Sequence, residues 1–139
     1  MFLRVYLSFL SQNESIAMQN PGAIINKSAA LNALGSNQEL LVELAAMYSE
    51  DAPELLQDLQ NAINRGDSRS AHQALHSLRG LTATFYAEPV VELTREMEKL
   101  AQAGELVEVE QRVPRLTEGV QQIADELRTL EPNTNHRAR

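Results

Sequence analysis

Two histidines stand four residues apart in the stretch AHQALHSLRGLTATFYAEP, residues 71–89, and an arginine and a glycine follow within the next turn. His72 and His76 are two of the chain's three histidines, the third being His136. Three chemistries suit these residue types at this spacing. Imidazoles at i and i+4 of a helix can share a zinc ion, two surface imidazoles can be merely solvated, and one exposed imidazole beside a cation can act as a nucleophile.

The metal reading lacks partners. Gln73 stands where an H-E-x-x-H motif needs its glutamate, there is no cysteine, and a third ligand would have to be a carboxylate from elsewhere in the fold. No metal ligand is therefore assigned. The merely solvated pair is opposed by Gly80. Glycine in a helix interior is about 1 kcal/mol less favourable than alanine, and Gly80 lies four residues beyond His76 on the same face. A bare backbone there suits a large partner that must approach the imidazole closely. Arg79 supplies a planar guanidinium that can bind an anion attached to the imidazole through two parallel hydrogen bonds. Imidazole itself is a competent nucleophile near neutral pH.

On a helical wheel of roughly 100° per residue, Ala71, Ala74, Leu75, Leu78, Leu81, Thr82 and Phe85 form an apolar stripe. Arg69, His72, Gln73, His76, Arg79, Gly80 and Ala83 share the other side. The helix must therefore bury one face and present His76 to solvent.

The rest of the chain supplies elements to hold that helix. INKSAALNAL is a short apolar segment closed by Gly35, and Ser36 or Asn37 can cap the next helix. There Leu40, Leu41, Leu44, Met47 and Tyr48 recur at helical spacing, and Pro53 predicts a kink or restart. Leu55, Leu56, Leu59, Ala62 and Ile63 continue the stripe to a stop at Arg65-Gly66, and Asp67 or Ser68 caps the histidine helix. Pro89 predicts a break at Ala87-Glu88, after which a helix to Ala103 turns Val90, Leu93, Met97 and Leu100 inward and ends at Gly104. A last helix is expected from about Leu106 to Leu130, bent or broken at Pro114. The expected architecture is all-α, an antiparallel four-helix bundle with a short additional N-terminal helix. Residues 1–22 read as a leader or linker, 23–131 as the bundle and 132–139 as a polar tail.

Composition agrees with this reading and narrows function. The chain has 139 residues, room for one buried core, and only 4% aromatic residues. Its net charge of −7 disfavours binding to a phosphate backbone, so no nucleic-acid partner is expected. MFLRVYLSFL is apolar but far short of the roughly 20 residues a membrane span needs, and it lacks an A-x-A-like cleavage site. No membrane association is expected, and the absence of cysteine suits a cytoplasmic location.

HSLRG with FYA, at His76–Gly80 and Phe85–Ala87, resembles the signature of the histidine-containing phosphotransfer (HPt) domain family. That signature is His-x-Leu-Lys-Gly, four further residues, an apolar residue and Gly-Ala. MYSEDAPELLQDLQNAINRGD and VVELTREMEKLAQAGE are similar to the family's flanking segments, so the likeness spans about residues 24–130.

The resemblance implies that His76 is the phosphoacceptor in a phosphorelay, taking a phosphoryl group from a receiver-domain aspartate and passing it to another receiver. It implies that Arg79 stabilises the phosphoryl group from the usual lysine position. Gly80, Ala83, His72 and Gln73 would form the receiver-docking face, His72 as a rim residue. The implied partners are a response-regulator receiver domain and/or a hybrid histidine kinase. The receiver would bring the Mg²⁺, so no cofactor is expected on this chain, which would be a monomeric stoichiometric carrier rather than an enzyme. A docking bundle that binds a receiver or kinase without accepting phosphate is the alternative. The sequence departs from the family at Arg79, which replaces lysine, and at Tyr86, which replaces the glycine that eases the turn. The Tyr86 turn is therefore expected to use another geometry.

Overall fold

A computed structural model describes residues 22–130. The parts of the expected leader and tail at residues 1–21 and 131–139 lie outside the described residues. Five helices and no strand occur among the described residues: α1 (Lys27–Ala33), α2 (Gln38–Arg65), α3 (Ser68–Ala83), α4 (Glu88–Gln102) and α5 (Leu106–Arg128). Helix α2 packs on α3 and α5, and α4 also packs on α3 and α5, so the four long helices close a ring while α1 lies against α2. None of these helices is long and apolar enough to cross a membrane.

Local chemistry sets the boundaries. The side chains of Asn26, Asn37 and Asp67 accept hydrogen bonds from the backbone N–H groups of Ala29, Leu40 and Ser70, capping α1, α2 and α3. Gly66 ends α2 with φ 71°, and Asp67 N–H returns to the Ala62 carbonyl at 2.8 Å. The α2–α3 turn is therefore two residues, Gly66 and Asp67, which fixes where the histidine helix begins. Pro89 lies in the first turn of α4, where a missing N–H does no harm.

The restart expected at Pro53 and the broken turn expected at Pro114 do not occur. α2 runs through Pro53 and α5 through Pro114. Both prolines are exposed, as are Ser49 and Glu110 four residues earlier, the residues whose carbonyls lose their usual helical partner. Met47 also departs from expectation: it is 50% exposed, because Leu41, Ala45, Tyr48 and Ala52 take the inward positions of α2.

The core joins every long helix, with Leu41, Tyr48 and Leu59 meeting Leu75, Leu78, Met97, Leu116, Ile123 and Leu127. Tyr48 meets Phe85 edge to face at 5.6 Å, and its hydroxyl is paired with the Thr82 hydroxyl at 3.2 Å. Burial pushes the Tyr48 hydroxyl pKa up to about 12, only partly offset by the Thr82 hydrogen bond. The phenol is thus a neutral packing element that anchors the inner face of α3. Ahead of α1, the N–H groups of Ile24 and Ile25 donate to the Glu126 carboxylate, and Asn26 N–H donates to the Phe85 carbonyl at 2.9 Å. The chain entry is thereby fastened to both α5 and the α3–α4 turn.

Candidate functional site

Helix α3 buries Ala71, Ala74, Leu75, Leu78 and Thr82, which leaves Gln73, His76, Gly80 and Ala83 exposed on its outer side. The His76 side chain is 64% exposed. A Cβ built on Gly80 would meet no atom of the described residues within 4 Å, so none of them requires glycine there. His76 stands on a ridge. A groove of about 320 Å³ on one side is lined by Gln73 and Ser77, and one of about 310 Å³ on the other by Arg69 and His72. A further cavity of about 340 Å³ between α2 and α5, lined by Tyr48, Leu56, Val113 and Val120, does not include His76. Small-molecule sites are concave, whereas a reactive group on a ridge suits a macromolecular partner.

The structure adds a residue that the sequence reading missed. Glu98 of α4 is only 7% exposed and reaches across to α3. Its Oε1 lies 3.2 Å from His76 Nδ1, and its Oε2 accepts from Arg79 Nε. Arg79 Nη2 lies 3.4 Å from Oε1 and 3.3 Å from His76 Nδ1. His72 Nε2 lies 3.8 Å from the same Oε1. One buried carboxylate is therefore the common neighbour of both histidines and the arginine.

Electrostatics decide the protonation pattern. Burial alone would raise the Glu98 pKa, but hydrogen bonds from Arg79 and His76 outweigh it and hold the carboxyl below its ordinary value. Arg79 is shifted up by the hydrogen bond and charge of Glu98. An ionised carboxylate only accepts and a guanidinium only donates, so the two contacts to His76 Nδ1 demand opposite tautomers. Both contacts are charge-assisted, but the one to Glu98 is the shorter, and Arg79 Nη2 has Oε1 as its other acceptor. In the neutral ring this arrangement favours the tautomer with the proton on Nδ1, whose Nε2 lone pair is free of protein partners among the described residues.

Placement of Arg79 changes its reading. Its Nε and Nη2 face Glu98, and no described residue accepts from Nη1. Part of the guanidinium is engaged inward and part is available to an outside anion. The two histidine rings lie 6.3 Å apart at 13°, with His72 the less exposed. Among the described residues no group of three histidine, aspartate or glutamate side chains is arranged to hold a metal ion, and Arg79 occupies the carboxylate that would join the histidines in one.

Glu98 had a legible signal. Val91, Thr94, Glu98 and Ala101 recur at helical spacing, and all are buried. An acid in a row of small and apolar residues needs a buried partner, and Arg79 provides it.

At the end of the site helix, Tyr86 has φ 54°. The expectation of a different turn geometry is corrected here: tyrosine adopts the left-handed conformation that a glycine would favour. Hydrogen bonds from Tyr86 N–H to Ala83 and from Asn26 N–H to Phe85 hold the strained residue in place.

A family model described as "Hpt domain" matches residues 43–126, well over half of the chain. The chain belongs to the Hpt domain family. Among solved structures it is similar to histidine-containing phosphotransfer protein B (HptB) from Pseudomonas aeruginosa PAO1, with a TM-score of 0.71 and 17% identity, over 78% of this chain and 94% of that one. That likeness supports the Hpt helical bundle as the fold. No curated protein sequence matches the chain. The matched Hpt region contains α3, α4 and the whole His76–Arg79–Glu98 cluster.

Proposed function

We propose that this Hpt chain is a phosphorelay carrier whose phosphoacceptor is Nε2 of His76. The observation that carries the reading is a solvent-facing imidazole whose Nδ1 is held by a buried, arginine-paired carboxylate. The Nε2 lone pair attacks the phosphorus of a receiver's aspartyl phosphate. The N–P bond forms as the O–P bond breaks, and the bonding pair leaves with the aspartate oxygen. Positive charge developing on the ring is offset through Nδ1–H and Glu98, while Arg79 Nη1 is available to the phosphoryl oxygens. Reversal onto a second receiver returns the same electron pair to His76. Any Mg²⁺ comes with the receiver.

Gly80, Ala83 and Gln73 form the docking surface around the imidazole, with His72 at its edge. The short turns Gly66-Asp67, Thr84–Ala87 and Ala103–Glu105 between successive long helices support an antiparallel bundle with α1 added at one end. The carrier is a monomer acting in the cytoplasm, stoichiometric because the phosphoryl group it accepts rests on His76 until a receiver takes it.

The test is incubation with a phosphorylated receiver, followed by assay for an acid-labile, alkali-stable label. Label is expected on the wild-type chain at pH 8, lost in His76→Gln and retained in His72→Gln. Label that survives in His76→Gln refutes the assignment, and a receiver that binds without ever transferring phosphate favours the docking bundle.

A further inference from the structure

His72 is outside the mechanism above, yet it shares its carboxylate. Glu98 offers two oxygens; Arg79 Nε occupies Oε2, and Oε1 already faces both Arg79 Nη2 at 3.4 Å and His76 Nδ1, so a further donor must compete for it. His76 Nδ1 holds that oxygen at 3.2 Å, and His72 Nε2 waits at 3.8 Å. The longer distance is outside hydrogen-bonding range but inside the range of an ion pair once His72 is protonated. Its surroundings favour that partner and no other. Along α3 the charged or titratable neighbours of His72 are Arg69, His76 and Arg79: the two arginines only donate, and the His76 ring lies 6.3 Å away at 13° with no hydrogen bond to His72. From α4, Ala101 and Gln102 beside it are uncharged, and Glu98 is the carboxylate within ion-pairing distance. Among the described residues no acid of α2 lies within ion-pairing distance of His72.

We propose that His72 is a positioning residue for the phosphoacceptor: when protonated it takes Glu98 Oε1 from His76 Nδ1 and so slows phosphotransfer in acid. This rests on His76 being the acceptor. With His72 neutral, Oε1 accepts from His76 Nδ1–H, which fixes the tautomer and aims Nε2 outward. With His72 protonated, its Nε2–H is charge-assisted and wins the oxygen. His76 then loses the bond that fixed its tautomer, and the population with an unprotonated Nε2 falls. Transfer therefore responds to two protons, one on His76 and one on His72.

Two measurements on the full chain test this. In ¹⁵N-resolved NMR of the imidazoles between pH 8 and pH 5, the His76 nitrogens of the wild type should report a tautomer change accompanying His72 protonation as well as their own protonation. In His72→Gln only their own transition should remain. Glu98→Gln retains both imidazoles, and hence their direct charge coupling, but should lose the tautomer change. In single-turnover transfer from a phosphorylated receiver, the wild-type acid limb should steepen from about tenfold toward about a hundredfold per pH unit, and His72→Gln should stay near tenfold. Identical His76 titrations in wild type and His72→Gln, or parallel rate profiles, would overturn the proposal. Absence of transfer in every protein would refute the carrier function, while NMR would still decide the role of His72.

Discussion

Glu98 is the residue whose removal tests the site most directly. Glu98→Ala leaves Arg79 without its ion-pair partner and His76 Nδ1–H without its acceptor. Breaking a buried ion pair by deleting one member typically costs about 3–5 kcal/mol. The Arg79 side chain is 29% exposed, so its guanidinium recovers water and the expected loss of stability falls to about 1–2 kcal/mol. Catalytically, the lost charge-assisted bond to Nδ1 is worth roughly 1.5–3 kcal/mol, which is about a 10- to 100-fold drop in transfer rate. Glu98→Gln keeps a neutral acceptor and should lose only about 3- to 10-fold. Single-turnover transfer from a phosphorylated receiver reads the rate, and urea melts under the same buffer read the stability. A folded Glu98→Ala protein with the wild-type rate would refute the argument that Glu98 orients the nucleophile.

Three further outcomes follow from the geometry. Gly80→Ala should be neutral or stabilise by up to about 1 kcal/mol in urea melts while Gly80→Gln slows transfer at least tenfold; equal transfer by Gly80→Gln would show that the receiver does not need the gap. Gly119→Ala should instead destabilise by about 1 kcal/mol despite its better helix propensity, because the new Cβ would lie 2.8 Å from Cγ2 of buried Val90. Tyr86→Gly should raise stability by about 1 kcal/mol, read as a higher thermal midpoint, because it relieves a positive φ. For pH, a carboxyl held below its ordinary value contributes fully above the unfolded-state carboxylate range, and that contribution is lost as pH falls through the folded-state value. The stability gap between wild type and Glu98→Gln should therefore be open at pH 7 and closed in strong acid.

Much of the fold was legible because its signals are local. Asn37 and Asp67 cap the helices they precede, Gly66 ends α2, and the inner row of α3 is buried from Ala71 to Thr82. The errors arose where tertiary context overrides a local rule. Pro53 read as a kink or restart and Pro114 as a bend or broken turn, but the helix runs on through each, at positions where the proline and the residue four before it are exposed. Tyr86 read as a departure from a glycine turn, yet it takes the positive φ that glycine favours, held by bonds from Asn26 N–H and from its own N–H.

The chemistry of the site was only half legible, for a different reason. Spacing within α3 places His76, Arg79 and Gly80 together, but no periodicity within one helix reports what a neighbouring helix brings. Arg79 therefore read as a cation able to bind an outside anion through two parallel hydrogen bonds, whereas Glu98 engages its Nε and Nη2. This gives the arginine in place of lysine a physical meaning. An ammonium is a compact point charge, and holding a buried carboxylate would leave it little reach toward a phosphoryl group on the far side of the imidazole. A guanidinium carries five donors in a rigid fork, so one edge can pair with Glu98 while Nη1 faces the phosphate. Arg79 and Glu98 are then best understood as one device, in which the buried carboxylate fixes the fork and the nucleophile together. His72, within ion-pairing reach of that same carboxylate, is where protons can disturb both.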